Sequence, residues 1–338
     1  GSYAITGGTC MALACLYLCA SYAVNALSPI IAGKFQVTAT VIKLIPLLLM
    51  AVIGTIAGIS NGVMISNFTT TVDMSALIAD YTPAASPLFA AVVATAFAYE
   101  GWIIATSINS ELHNAKRNLP IALIAGGIII ILVYICYYLG LAGAVDKAKL
   151  ITDGASGVSD AFKSIFGSAV GSLLVVFIVI SCIGTLNGLM LGCVRGLYSI
   201  ASRGRGPKPK LFGQVDKVSN MPTNSSIMGL LLSAAWLFYF YGANLADKPV
   251  FGIFCFDSSE LPIVTLYALY IPIFVMFAVK SKESNAFNRF VAPVIASAAS
   301  VFMVIAAFYA HGKSVLYYLI MFAVIMLIGM MFAKKKQI

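Results

Sequence analysis

Hydrophobic positions run almost unbroken along this chain for about 20 residues or more at a time, and short polar or glycine- and proline-rich stretches separate the runs. A helix that crosses a bilayer needs about 20 consecutive apolar residues. The pattern therefore predicts about nine spans, over residues 9–28, 36–59, 87–112, 119–143, 166–202, 223–242, 257–280, 290–310 and 314–333. A transmembrane barrel would show alternating segments of about 10 residues instead, so the predicted class is an all-α polytopic membrane protein. The longest polar connections are 60–86, 144–165 and 203–222, the last broken by Gly204, Gly206, Pro207, Pro209 and Pro222. Apolar residues at helical spacing in 74–78 and 161–166 predict short amphipathic helices there, lids at most. No linker divides the chain, and 1–338 reads as one membrane domain.

Composition agrees, with 61% hydrophobic residues, 10% charged residues and a mean hydropathy of +0.97. A net charge of +9 raises nucleic acid as a partner, but the 21 Lys and Arg residues cluster in alternate loops. One side holds Lys34, Lys116, Arg117, Arg203, Arg205 and the C-terminal Lys334–Lys336 among others; the other holds Lys147, Lys149, Lys163, Lys248 and Lys313. The positive-inside rule makes the richer side the cytoplasm, with the C-terminus inside. The partner implied is the lipid bilayer, not nucleic acid, and the expected location is the cell membrane. Residue 1 then falls outside, although the chain opens Gly1-Ser2-Tyr3 with neither Met nor a signal-peptide pattern. The expectation is an odd number of further spans upstream; the alternative is an N-out protein whose Met was removed or replaced.

Enzyme chemistry finds little support. The seven cysteines form no Cys-x-x-Cys pair and read as packing residues. His113 and His311 fall on opposite predicted sides, which argues against a shared metal site. No nucleophile sits beside a base and no phosphate loop occurs, so no cofactor or metal is expected. Asn67-Phe68-Thr69 has the form of a glycosylation sequon, a pattern too short to carry weight.

The informative residues are polar ones inside apolar runs. Glu100 lies in Phe97-Ala98-Tyr99-Glu100-Gly101-Trp102, about 20 Å from Pro87 at 1.5 Å per residue. A carboxylate near the bilayer centre costs roughly 2.5–3.5 kcal/mol and marks a substrate or ion pathway by default. Gly101 permits a helix break, which would free carbonyls from the first half and N–H groups from the second. The competing reading is a straight helix with Glu100 protonated or hydrogen-bonded among its neighbours. Gly184, Gly188, Gly192 and Gly196 recur every four residues, a face that another backbone can approach. Beside them, Asn187 and Thr185 either line a cavity or act as helix glue, with glue favoured, and Arg195 snorkels or pairs locally. Lys43 stands about two turns into the second predicted span with no acidic residue nearby on its helix. It either snorkels to the headgroups or replaces a coupling cation.

At these residues the chain resembles the amino acid, polyamine and organocation transporter superfamily, most closely its L-type amino acid transporter branch and the bacterial serine/threonine exchangers. Phe97 to Trp102 continuing through Glu111-Leu112 to Arg117-Asn118-Leu119-Pro120 carries the likeness, as do Gly184-Thr185-Leu186-Asn187-Gly188 continuing to Arg195 and Arg203-Gly204, and Lys43-Leu44-Ile45-Pro46. Ser259-Glu260-Leu261-Pro262 with Tyr270-Ile271-Pro272 adds weaker support.

The resemblance implies a permease fold of two inverted five-helix repeats, of which this chain looks like helices four to twelve. On that plan 1–59 ends the first repeat, 87–280 forms the second and 290–333 supplies two further helices. The Gly-rich break that the family's first helix contributes has no match here. By resemblance, Phe97 is an aromatic gate, and the carbonyls around Phe97, Ala98 and Tyr99 accept from a substrate amino group. Glu100, beside Gly101, stands next to the substrate side chain where the family usually has a small residue or Asp, and would tune selectivity toward polar or cationic substrates. Lys43 matches the fifth-helix lysine of sodium-independent members, and Asn187 a motif position on the eighth helix. The implied function is sodium-independent transport of small neutral amino acids, an exchange by alternating access. The alternatives are a cationic amino acid or polyamine carrier and, from another class, a non-transporting remnant or amino-acid sensor. Whether an ancillary subunit exists is left open.

Overall fold

The computed structural model describes residues 8–77, 86–218, 220–246, 248–258 and 260–332. Lys248 is among them, whereas Ser259 and Lys334–Lys336 lie outside. Among the described residues there is no strand, and nine helical stretches are long and apolar enough to cross a membrane.

Helix α1 (Gly8–Leu27) turns at Ser28 into α2 (Pro29–Leu49). Ser28 Oγ accepts the Ile31 N–H at 3.4 Å, and Pro29 occupies the first helical position, where a missing N–H costs nothing. Pro46 withholds the N–H that the Ile42 carbonyl would accept. A π turn at Met50–Gly54 follows, and the chain continues as α3 (Thr55–Ser60), making one span of 32 residues. Since this span starts at Pro29, earlier than residue 36, Lys43 lies not two but nearly four turns in, about 21 Å along the axis.

Two short helices follow, α4 (Val63–Thr69) and α5 (Met74–Leu77). Asn67 on α4 is buried, donating to the Ala142 and Val145 carbonyls at 2.7 and 2.9 Å and accepting the Lys147 N–H at 2.9 Å. The sequon asparagine is thus a structural clamp. Next come α6 (Pro87–Tyr99), a 3₁₀ segment Trp102–Glu111, α7 (Ala115–Ala144), α8 (Lys147–Asp153) and α9 (Ala155–Ala201). Gly167, at φ 80°, bends α9, so residues before it form a separate arm. That arm is anchored: Ala161 and Phe162 are buried in one cluster with Met50 and Leu174, which corrects the expectation of a lid. The chain closes with α10 (Pro209–Phe212), α11 (Thr223–Phe240), α12 (Leu261–Lys280), α13 (Ala292–His311) and α14 (Lys313–Met330).

Lipid tails are as apolar as leucine, so helices in a bilayer associate through close packing and internal hydrogen bonds. The closest approach is between the π turn with α3 and the end of α7. A Cβ on Gly140 would stand 2.0 Å from the Met50 carbonyl oxygen, and one on Gly58 2.1 Å from Gly143 Cα. The glycine stripe on α9 packs more loosely. A Cβ on Gly184 would meet Ala39 of α2 at 2.9 Å and one on Gly192 would meet Ile104 of the 3₁₀ segment at 3.6 Å, while Gly196 faces open space. Hydrogen bonds join α9 to α11 as well, since Ser225 Oγ donates to the Val194 carbonyl and accepts the Tyr198 N–H.

Two halves of the interrupted third span go to different neighbours. Its first half, α6, packs on α12 and α13 through Val93 and Ala96, in clusters with Val264, Ile263, Met303 and Ala306. The 3₁₀ half leans on α7 and α9. The interruption lies where these two groups of helices meet.

Candidate functional site

Helix α6 ends at Tyr99. Glu100 is extended (φ −81°, ψ 160°), Gly101 is left-handed at φ 112°, and the chain resumes as a 3₁₀ segment from Trp102. The straight-helix alternative is excluded. A Cβ on Gly101 would meet nothing within 4 Å, so the demand for glycine is one of backbone conformation, not of space. The Glu100 N–H turns to the Phe97 carbonyl at 3.4 Å, and the Ile104 N–H bonds the Gly101 carbonyl at 3.1 Å. The carbonyl end of α6, with the partial negative charge of a helix C-terminus, therefore opens inside an apolar span.

Aromatic side chains hold the break. Tyr134 of α7 donates its hydroxyl to the Ala98 carbonyl at 3.2 Å and packs edge-on against Tyr99 with ring centroids 5.1 Å apart. From α12, Tyr270 donates its hydroxyl to Glu100 Oε1 at 2.8 Å, and its ring lies 5.3 Å from Trp102. Tyr267 packs edge-on against Tyr270 at 5.7 Å. Glu100 Oε2 is buried and has no hydrogen-bond partner among the described residues. A buried acceptor left in that state costs free energy until a donor reaches it. Phe97 is 58% exposed, and Tyr99 and Trp102 are also exposed, so the aromatic rim stands on an uncovered side of the break.

The remaining expected residues lie apart. Lys43 is half-buried near the middle of its span, and among the described residues no hydrogen bond or ion pair joins it to Glu100. Asn187 is buried at 4% exposure and ties three helices together. It accepts from Asn25 Nδ2 of α1 at 2.8 Å and donates to the Ala32 carbonyl and Gln36 Oε1 of α2 at 3.2 and 3.0 Å. It also borders a cavity between α1, α2 and α9. Arg195, at 7% exposure, is buried in the helix bundle and does not snorkel.

Sequence reasoning missed Tyr134, Tyr270 as the partner of Glu100, and Asn25 as the partner of Asn187. Each is a polar-tipped side chain in an apolar run, and such a group needs a hydrogen-bond partner when buried. That signal is visible in the sequence, but the partner across the bundle is not.

Residues 1–332 match the amino acid permease family. The chain is 28% identical to the serine/threonine exchanger SteT of Bacillus subtilis over 244 residues, 72% of this chain and 52% of that protein. It is 30% identical to the putrescine transporter PotE of Escherichia coli over 142 residues, 41% of this chain and 32% of that protein. It is 25% identical to the mouse b(0,+)-type amino acid transporter 1 over 196 residues, 53% of this chain and 39% of that protein. The chain thus spans about half the length of the exchanger and less of the other two. That family is one of transporters, and the nine apolar helices are those of a multi-pass membrane protein. With a match over nearly its whole length, this chain belongs to the amino acid permease family.

Proposed function

We propose that this chain carries the substrate-binding break of an alternating-access amino acid exchanger that works without sodium. The observation behind the reading is the interrupted span at Glu100 and Gly101. There the end of α6 offers carbonyl oxygens to an ammonium group, and Glu100 offers a carboxylate oxygen that no protein donor occupies among the described residues. Phe97, on the exposed side, is the residue that would close over the solute. Lys43, a cation fixed near mid-span, supplies the charge that sodium would otherwise bring. Small neutral amino acids are the substrates favoured, because Tyr270 already takes one oxygen of Glu100 and the surroundings are aromatic.

A second reading follows from the same carboxylate. An unpartnered buried oxygen is the acceptor that a second ammonium group would seek, so a cationic amino acid or a diamine is the alternative solute. PotE, a putrescine transporter by name, is among the similar proteins.

Counterflow in proteoliposomes separates these readings. Vesicles loaded with L-serine and challenged with labelled L-serine or putrescine, with sodium replaced by choline, are expected to exchange serine at an undiminished rate. Faster putrescine exchange favours the second reading. Binding of either solute with no flux would mean a binding protein that lacks a transport cycle.

A further inference from the structure

Away from the break, one acid–base pair joins two helices end to end. His311, the last residue of α13, places Nε2 2.9 Å from Oε2 of Glu260, the N-cap residue of α12. The side chains are 18% and 27% exposed, so solvent screens the pair less than it would on an open surface. His311 Nε2 is buried and meets no hydrogen-bond partner in line, which makes the approach one of charge. An imidazolium is drawn to the carboxylate there, and a neutral imidazole is not. Both helix ends suit that charged state. Glu260 stands at the partially positive N-terminus of α12 and His311 at the partially negative C-terminus of α13.

The pair closes the end of a packed seam. One turn below it, Val264 of α12 and Ala307 of α13 are buried in one cluster with Leu261, Ala306 and Val93 of α6. Tyr270, whose hydroxyl meets Glu100, lies about 15 Å further along α12 from Glu260. The other charged groups on the elements packed here are Asp257, whose carboxylate accepts the Glu260 N–H at 2.8 Å, and the exposed Lys248 and Lys313. Helix α6 carries no charged residue between Pro87 and Tyr99. Aspartate and lysine keep their charges between pH 5 and 8, and imidazole is the group that changes. The phenols of Tyr239, Tyr309, Tyr317 and Tyr318 and the Cys255 thiol belong to groups that ordinarily change charge above pH 8.

We propose that His311 and Glu260 form a pH-operated tie between α12 and α13, made when the imidazole is protonated and released when it is neutral. A carboxylate is charged above about pH 4.5 and an imidazole below about pH 6.5, so the tie is present between those values and lost as the pH rises. By holding the start of α12, it steadies the helix that brings Tyr270 to Glu100. That consequence for solute binding rests on the proposed function; the tie itself does not.

The test is the apparent melting temperature of the purified protein in detergent at pH 5.5 and 7.5, taken at one scan rate. The stabilisation at pH 5.5 relative to pH 7.5 is expected to be about 2–4 °C larger in the wild type than in Glu260→Gln or His311→Gln. The double variant should show no further change, and His113→Gln, which removes the other histidine, should behave as the wild type. Where His311→Gln is aggregated by size exclusion, Glu260→Gln alone decides. Equal differences in the wild type and Glu260→Gln would overturn the tie. L-Serine binding at the same two pH values is expected to weaken about threefold at pH 7.5 in the wild type and not in Glu260→Gln. Glu100 is present in both proteins, so its own titration cancels in the comparison. Serine affinity that is equal at both pH values in the wild type would overturn the coupling to Tyr270. Melting that depends on pH as expected, with no serine bound by any variant, would support the tie and count against the proposed site instead.

Discussion

Glu100 is a carboxylate whose two oxygens have different fates. One accepts the Tyr270 hydroxyl at 2.8 Å, and the other is buried with no donor among the described residues. Removing the Tyr270 hydroxyl strands the first oxygen as well, a change on the order of 1–3 kcal/mol. Tyr270→Phe is therefore expected to weaken solute binding by about tenfold and to lower the melting temperature, both read in one ligand-dependent thermal shift series. Glu100→Gln keeps the shape and removes the charge. If the carboxylate faces the solute, this variant shifts preference between serine and putrescine in competition assays, and an identical profile would place Glu100 in the packing alone. The sequence made Glu100 conspicuous because a charge in an apolar run is costly wherever it points. It could not reveal Tyr270, because contact across 170 residues is decided by how α6 and α12 pack. Arg195 shows the same limit: the sequence leaves snorkelling and local pairing both open, and the structure buries the residue in the bundle.

At the scale of elements, two backbone devices set the architecture. Gly101 holds a left-handed conformation at φ 112° that costs a residue with a side chain roughly 1–3 kcal/mol. Gly101→Ala is expected to reduce exchange strongly while the protein stays monodisperse, because its Cβ would clash with nothing. The second device is the crossing of α3 and the π turn with α7. Gly140→Ala would push a methyl into the Met50 carbonyl, an overpacking cost of about 1–3 kcal/mol, and should lower the melting temperature by several degrees. Gly196→Ala, facing open space on the regular stripe of α9, should be neutral or slightly stabilising. Regularity drew the eye to the four glycines of α9, yet the tightest contact uses Gly58 and Gly140 from two separate helices. Periodicity reveals which face is small; it does not reveal which face meets another backbone. The positions of the spans were legible to within a few residues, since apolar length is a local property. The entry of α2 at Pro29 was not, because Lys34 and Gln36 interrupt the apolar run there.

For the molecule as a whole, the nine apolar stretches pack so that the interrupted span bridges two groups of helices, α12 and α13 on one side and α7 and α9 on the other. At the break itself the contacts cross between the groups, since Tyr134 of α7 holds the end of α6 and Tyr270 of α12 packs on Trp102; under the proposed function these contacts are the ones a rocking cycle has to remake. Under the proposed function, Lys43 supplies the fixed cation of that cycle. If its ammonium stands in for sodium, Lys43→Ala abolishes exchange and leaves expression intact, and replacing sodium with choline leaves wild-type exchange unchanged. Retained exchange in Lys43→Ala would mean that the ammonium merely reaches for the headgroups.

Hydrogen–deuterium exchange across residues 97–104, with and without saturating L-serine or putrescine, tests the open break and its solute in one experiment. An open break with a solute at its ends requires amides that exchange much faster than those of α7 and that slow when the solute is added. Slow exchange in the free protein, or fast exchange that neither solute alters, would contradict it.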